Sequence, residues 1–308
     1  MENVRITSTP YDDVFRTLLN DCSSLIIPVI NEVFGECYSG QEKIVFAPNE
    51  HFLNQQGGNE DERITDTSFK IEGKETKKYH LECQSSTDNS MLIRFFEYDT
   101  QIALDEGEIK ENVLTVTLPH SAVLFLRYHA STPNMLKIRM VTPGGTVEYD
   151  IPVMKSQQYT LEEIFEKELL LLIPFYIFSH ETRFEEYEKD KTKLKALQKE
   201  YEKIKNKLEE LLEKGIISEY TRCTIIDMSN KVLEHIAKKY HSVREGVKSV
   251  MGGKVLEYEA KTIKREGIKE GIKGTVSILK NLGIPQQTIL DNIQEQYHLS
   301  PEDSKKYL

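Results

Sequence analysis

The side chains best suited to chemistry lie on two neighbouring predicted strands. If these strands pair as a hairpin, Asp66 on the first approaches Glu82 on the second. Two carboxylates placed close together repel each other unless a cation sits between them. The pair therefore predicts a site for a divalent cation. The two strands are predicted at Arg63–Ile71 and Tyr79–Gln84.

The second of these strands alternates between apolar and polar side chains. Successive side chains of a strand point to opposite faces. We therefore expect the apolar set to face the core and the polar set to point away from it. The apolar set is Tyr79, Leu81 and Cys83, and the polar set is His80, Glu82 and Gln84.

The elements that must position these residues follow from hydrophobic periodicity. Apolar residues recur near a 3.6 period over residues 11–35 and 91–104, which predicts helices, with Pro28 dividing the first. Between about residues 44 and 154 the period is mostly two. This order predicts an α/β or α+β core, a mixed sheet flanked by helices. The other strands are expected at Lys43–Phe46, Val113–Leu118, Ala122–Tyr128, Met135–Val141 and Thr146–Val153.

Beyond Pro174 the pattern becomes helical. Apolar residues from Tyr187 to Leu211 are spaced 7, 3, 4, 3, 4 and 3, which is typical of a heptad seam, and Gly215 is expected to end this helix. With a second helix near residues 220–240, it predicts an antiparallel helical hairpin that serves as support or as an oligomer contact. The expected domains are therefore 1–180, a hairpin or coiled-coil region over 181–260, and a tail over 261–308.

The tail carries a local positive charge. Residues 261–280 contain six basic and two acidic side chains, a net charge of +4. Helix starts are expected at Pro285 and at the pair Ser300 and Pro301. This end is predicted to be either a packing hairpin or a small helix-turn-helix that reads DNA.

Composition limits the function classes. The chain has 308 residues and a net charge of -10, so bulk charge does not attract it to nucleic acid. Any nucleic-acid function must be local or metal-assisted. The four cysteines form no CxxC pair and are expected to be small buried apolar residues. Because no apolar run is long enough to cross a bilayer and the first residues include acids, we expect a cytoplasmic location and no membrane partner.

The order of predicted elements resembles the core of the PD-(D/E)XK nuclease superfamily. Within it, the chain resembles the Rpn family of recombination-promoting nucleases and putative transposases. The charged tail EGIKEGIKG belongs to the resemblance, which covers nearly the whole chain. The other segments that carry it are YDDVFRTLL at Tyr11–Leu19, ITD ending at Asp66, HLECQ at His80–Gln84, RFFEY at Arg94–Tyr98 and YTLEEIFEKELLLLIPFYIF at Tyr159–Phe178.

The resemblance implies a catalytic magnesium site. Asp66, Glu82 and the backbone carbonyl of Cys83 would bind Mg²⁺ or another divalent cation, and Asp13 of the first helix would complete or flank the site. Gln84 stands where the superfamily usually has Lys, and it would join Asp66 and Glu82 in catalysis. An amide can orient a water molecule, but it adds no positive charge.

Four further residues are candidates for contact with DNA. Arg94 and Tyr98 lie four apart and share one helix face, where they would reach a phosphate or brace the acidic cluster. The alternative is a surface ion pair beside a half-buried tyrosine. Lys77 and Lys78 precede the Glu82 strand and would touch a backbone phosphate, although a solvated hairpin turn is the favoured explanation.

These observations predict a magnesium-dependent deoxyribonuclease that acts on DNA, in recombination, defence or transposition. The main alternative is a catalytically inactive, nuclease-derived module that binds DNA or protein. A third possibility, a coiled-coil interaction protein, leaves Asp66 and Glu82 unexplained. The helical region additionally predicts a homo-oligomer.

Overall fold

The computed structural model describes residues 10–46, 50–54, 60–64, 67–85, 90–252, 271–280, 283–297, 304 and 306–307. The chain divides into two compact units, Met1–Gly253 and Lys254–Leu308. Among the described helices, not one has the length and apolar character needed to cross a bilayer.

A six-stranded mixed sheet forms the centre of the first unit, in the order β1-β4-β5-β8-β10-β9. Antiparallel pairing joins β1, β4 and β5, parallel pairing joins β5, β8 and β10, and β9 returns antiparallel at the edge. The strands are β1 (Lys43–Phe46), β2 (Glu50–Asn54), β3 (Glu60–Ile64), β4 (Ser68–Glu72), β5 (Thr76–Gln84), β6 (Glu108–Lys110), β7 (Val113–Thr115), β8 (His120–Phe125), β9 (Met135–Thr142) and β10 (Gly145–Lys155).

Two predicted strands differ from the structure in how they pair. The strand expected at Arg63–Ile71 is divided, since β3 pairs with β2 in a separate sheet and Thr67 belongs to neither β3 nor β4. The strand expected at Val113–Leu118 ends at Thr115 and pairs with β6 rather than with the main sheet. Pro119, which has no backbone N–H, separates it from β8.

Helices cover both faces of the sheet. On one face lies α3 (Met91–Leu104), with the bounds that the periodicity predicts, and it buries Phe95 against Val123 and Ile151. On the other face lie α1 (Pro10–Asp21) and α2 (Ile26–Phe34), which bury their apolar stripes against the apolar side of β5. The first unit thus has a layer of helices on each face of its sheet.

The break in the first helical segment was predicted at the wrong place. Chain direction changes at Cys22 and the 3-10 turn Ser23–Leu25, before α2 begins. Pro28 lies in the first turn of α2, where backbone N–H groups have no partner within the helix. It therefore does not interrupt the helix.

The helical region that follows comprises α4 (Leu161–Glu166), a 3-10 segment (Leu170–Arg183), α5 (Phe184–Lys189), α6 (Lys191–Glu213), α7 (Glu219–Ile236) and α8 (His241–Met251). Asp190 divides the predicted heptad helix because its backbone is extended and its carboxylate caps α6, accepting from Thr192 N at 2.8 Å. Gly215, whose φ of 69° lies in the left-handed region, follows the end of α6 as expected.

The two long helices do not form the predicted hairpin as their main packing. α6 packs chiefly along α8, and α7 packs against α1 and the 3-10 segment. At the α6–α8 contact, a Cβ added to Gly246 would meet Leu194 Cδ1 at 3.1 Å. The seam residues Leu197, Tyr201 and Ile204 join the same hydrophobic core as the apolar face of the sheet. Amphipathic stripes identify a buried face but not the helix that covers it.

The second unit has a small core of its own. Residues 271–280 are helical, and α9 (Gln286–Tyr297) begins directly after Pro285, as predicted. Thr275 Oγ1 and Tyr297 Oη are 2.9 Å apart. The pair Ser300 and Pro301 lies outside the described residues. The buried apolar residues are Ile272, Val276, Ile289 and Ile293.

The cysteines are all free thiols. Cys22, Cys83 and Cys223 are buried, as expected of small apolar residues, whereas the prediction is wrong for Cys37, which is exposed.

Candidate functional site

Strand β5 alternates between the two faces of the sheet as predicted, but its polar face is also buried. Tyr79, Leu81 and Cys83 join the larger core, while His80 and Glu82 are only 0% and 2% exposed. The polar set therefore points away from the larger core, as expected, but its buried members do not face solvent. Helix α3 covers this face, so a second, partly polar core lies beneath it.

His80 lies between two carboxylates that belong to different elements. Its Nδ1 is 2.6 Å from Asp99 Oδ1 on α3, and its Nε2 is 3.2 Å from Glu82 Oε1 on β5. Neither His80 nor Asp99 has exposed surface. The three side chains form a buried chain of two charge-assisted hydrogen bonds.

The number of N–H donors needed by Asp99 and Glu82 favours the imidazolium form of His80. A neutral imidazole offers one N–H donor, whereas two ionised carboxylates require one donor each. Burial lowers the pKa of His80, but hydrogen bonds to Asp99 and Glu82 outweigh burial and raise that pKa to about 9. At neutral pH His80 is therefore held as the imidazolium, with one N–H directed at each carboxylate.

Asp99 has two further donors from the sheet. Ser121 Oγ on β8 donates at 2.7 Å to Oδ1, and Tyr149 Oη on β10 donates at 3.3 Å to Oδ2. Burial and the nearby Asp99 charge raise the pKa of Tyr149, so its hydroxyl keeps its proton. Asp99 is therefore the point where α3, β5, β8 and β10 meet.

Gln84 and the backbone of Cys83 lie next to Glu82. Gln84 Nε2 donates to Glu82 Oε2 at 3.2 Å. On the β8 side of β5, the Gln84 carbonyl accepts from Leu126 N, just after β8, at 2.9 Å. On the β4 side, Leu81 N donates to Thr67 O, just before β4, also at 2.9 Å. Because the backbone groups of successive strand residues point to opposite sides, Cys83 shares the side of Leu81, and its carbonyl points to the Thr67 side.

Asp66 lies outside the described residues. It is covalently joined to Thr67, whose carbonyl accepts from Leu81 N, the residue before Glu82. Among the described residues, no group of three or more His, Cys, Asp or Glu side chains is arranged to hold a metal ion. The predicted ligand set, which includes Asp66, extends beyond that part of the chain.

Asp13 is not brought to Glu82. It lies in the first turn of α1 with its side chain 54% exposed, and its Oδ2 is 3.7 Å from Lys231 Nζ on α7. α1 packs on the face of β5 opposite to the one that holds Glu82. The described partner of Asp13 is therefore a cation on α7.

Arg94 and Tyr98 occupy the buried side of α3. Tyr98 is 4% exposed, and its ring centroid lies 6.0 Å from that of His80 at an interplanar angle of 69°. A ring buried to this extent offers little surface to a DNA backbone. Arg94 is half-buried in the first turn of α3, with Nη2 3.6 Å from Met91 Sδ.

Lys77 and Lys78 lie at the start of β5, and both are held by acids. Lys77 Nζ is 2.6 Å from Glu36, which raises the pKa of the lysine. Lys78 Nζ is 3.0 Å from Glu106 and donates to Ile102 O at 3.1 Å. The two lysines border a cavity of about 400 Å³ at the end of β5 remote from Glu82.

Sequence reasoning placed Gln84 beside Glu82 but missed the contacts that His80 and Asp99 make there. His80 belongs to the polar set of β5, but a strand pattern does not reveal that both faces are covered. Asp99 carried a usable signal. It lies four residues after Phe95 and three before Ile102, on the face of α3 that is otherwise apolar. Ser121 and Tyr149 had no comparable signal.

Comparisons with family models, with curated proteins and with solved structures found no match to this chain. The functional argument therefore rests on the residues and their geometry.

Proposed function

We propose that the chain is a metal-dependent DNA endonuclease of the PD-(D/E)XK type, similar to the Rpn family. The order of elements supports this: helices α1 and α2, the antiparallel strands β1, β4 and β5, helix α3, and the parallel strand β8. The observation that carries the proposal is the placement of Glu82. Its carboxylate lies near the end of the central strand β5, beside the side-chain amide of Gln84 and the backbone carbonyl of Cys83.

The residues present suit a hard divalent cation. Asp66, Glu82 and the Cys83 carbonyl would hold Mg²⁺, since carboxylate and carbonyl oxygens are the ligands that this ion prefers. When bound, the ion would lower the pKa of a coordinated water and stabilise negative charge that develops on the phosphate.

The remaining chemistry belongs to side chains. Gln84 Nε2 holds Glu82 Oε2 at 3.2 Å, and the same amide offers an oxygen that can accept from the attacking water. Arg94 would meet a phosphate near the first turn of α3. The helical region would supply an oligomer contact and the basic tail would add phosphate contacts, in recombination, defence or a mobile element.

Plasmid nicking tests this proposal. We expect the purified protein to nick supercoiled DNA with Mg²⁺ but not with EDTA. Glu82→Gln keeps the volume of the side chain and its ability to accept from His80, and it should abolish nicking. Glu185→Gln is the matched control, because this glutamate is 73% exposed on α5, and it should cut like the unmodified protein. Equal nicking by all three proteins would mean a contaminating nuclease.

The second candidate is a nuclease-derived binding module without activity. Two observations favour it: Gln84 replaces the usual lysine, and the His80 imidazolium already neutralises part of the acidic charge. Fluorescence anisotropy with labelled DNA distinguishes the two functions. DNA binding without nicking in Mg²⁺ or Mn²⁺ would support the binding module and contradict the endonuclease.

A further inference from the structure

The imidazole of His80 bonds one carboxylate oxygen of Glu82. The motif of Asp66, Glu82 and Gln84 assigns no role to His80. We propose that His80 is a positioning residue, which fixes the Glu82 carboxylate in the orientation that a divalent cation requires. This inference rests on the proposed function, in which Glu82 is a metal ligand.

The strand geometry makes this contact direct. His80 and Glu82 are two residues apart on β5, so their side chains share a face of the sheet. His80 Nε2 donates to Glu82 Oε1 at 3.2 Å, and Gln84 Nε2 donates to Oε2 at the same distance. A glutamate side chain has three rotatable bonds, and one donor on each oxygen restricts all of them. The lone pairs left on the carboxylate then have defined directions.

The imidazole is itself fixed from the other side. Asp99 Oδ1 accepts from Nδ1 at 2.6 Å, and the ring of Phe95 packs with its centroid 5.2 Å from that of His80. Ser121 and Tyr149 donate to Asp99 at 2.7 and 3.3 Å. Residues from three elements, α3, β8 and β10, thus fix the orientation of His80 and, through it, of the Glu82 carboxylate on β5. Partners of this kind around metal ligands typically change affinity 10- to 100-fold when they are removed.

The same geometry argues against a catalytic role for His80. The side chain is 0% exposed, and both ring nitrogens already face carboxylates. It offers no atom to a substrate or to an attacking water. Its effect must therefore pass through Glu82.

Isothermal titration calorimetry with Mn²⁺ tests the inference on the full chain. His80→Gln should weaken Mn²⁺ binding by about 10- to 100-fold. His180→Gln is the matched control, because His180 is also buried, at 4% exposed, and bonds Tyr187 in the helical region. It should leave Mn²⁺ affinity within about twofold. Nicking by His80→Gln should recover when Mn²⁺ is raised by the same factor as the loss of affinity.

The outcomes separate this inference from the proposed function. If the unmodified protein binds no Mn²⁺, the proposed metal site itself is wrong. If it binds Mn²⁺ and His80→Gln binds equally well, the positioning role is overturned. An equal loss in His180→Gln would also overturn it, since the effect would then be global.

A second variant applies if His80→Gln does not fold. Asp99→Asn keeps the shape of the side chain and one acceptor for the ring, so it loosens His80 without removing it. We expect Mn²⁺ affinity between those of the unmodified protein and His80→Gln. Unchanged affinity in folded Asp99→Asn would contradict the role assigned to the chain of contacts.

Discussion

Asp99 Oδ1 on α3 lies 2.6 Å from His80 Nδ1 on β5, and neither side chain has any solvent-exposed surface. A buried pair of this kind need not stabilise the fold relative to apolar side chains of the same volume. Removing one partner is different, because it leaves the other charge buried and uncompensated. The pair thus makes the helix-to-sheet contact dependent on both residues.

Asp99→Ala should lower the free energy of unfolding by about 3 to 5 kcal/mol. The physical reason is that His80, Ser121 and Tyr149 all lose their common acceptor inside the protein. Urea unfolding, followed by circular dichroism in metal-free buffer, measures the change.

Asp105→Ala is the control for this prediction. Asp105 follows the last residue of the same helix, is exposed, and accepts from Gln101 Nε2 at 3.0 Å. Its loss should change the free energy of unfolding by less than about 1 kcal/mol. If both variants lost a similar free energy of unfolding, the buried hydrogen bonds of Asp99 would contribute no more to stability than a surface contact.

The pH dependence of stability should report His80. Its folded pKa is raised to about 9 from an unfolded value of 6.5, so the folded state holds the proton more tightly. The stabilisation is fully present below pH 6.5 and is lost as pH rises through 9. Its size is on the order of 3 kcal/mol by linkage. Urea unfolding of the metal-free protein between these pH values measures it.

His80→Gln provides the reference curve for that measurement. Every other titrating group is retained in this variant, so the difference between the two curves isolates His80. We expect the difference to shrink steadily as pH rises from 6.5 to 9. A constant difference over this range would show that His80 is neutral in the folded protein.

Local sequence patterns predicted the helices and strands better than they predicted what packs against each of them. The bounds of α3 and the alternation of β5 follow from periodicities of 3.6 and 2, which depend only on neighbouring residues. That alternation assigns His80 and Glu82 to one face. It does not say that α3 covers this face, because the crossover from β5 to β8 places the helix there.

Competing local signals explain two of the errors. A heptad spacing favours one continuous helix from Tyr187 to Leu211, but Asp190 acts as an N-cap and divides it. Similarly, Pro28 reads as a break, although a proline fits the first turn of a helix without loss of a hydrogen bond. In both cases, whether the residue interrupts a helix depends on its position relative to the first helical turn and not on its type alone.

Gln84→Lys should keep nicking activity within about tenfold, which corresponds to a change of no more than about 1.4 kcal/mol in activation free energy. Lysine retains a donor toward Glu82 Oε2, which Gln84 Nε2 now approaches at 3.2 Å, and adds a positive charge. Initial rates of plasmid nicking in Mg²⁺ measure the change.

Gln84→Met separates the donor from the volume of the side chain. It has a similar length but no N–H, so we expect a larger loss of activity than in Gln84→Lys. Complete loss in both variants would mean that the amide itself, through its oxygen, is required.

Truncation after Gly253 should weaken DNA binding and leave nicking detectable at low salt. The division between the two compact units falls at this residue, so the sheet and its helices keep their core. The removed segment includes residues 261–280, with a net charge of +4 in a chain whose total is -10. Each lost phosphate contact should flatten the log-log salt dependence of binding by about 0.9.

Fluorescence anisotropy at several salt concentrations measures that slope, and a full-length variant separates charge from mass. In that variant the six basic residues of 261–280 are replaced by alanine. If the tail acts by charge, the variant and the truncated protein should show the same flattened slope. If the truncated protein binds as tightly as the full chain and with an equal slope, the tail makes no phosphate contacts. DNA binding would then belong to the first unit, and the second unit would be left with packing or self-association, which sedimentation of the two proteins would detect.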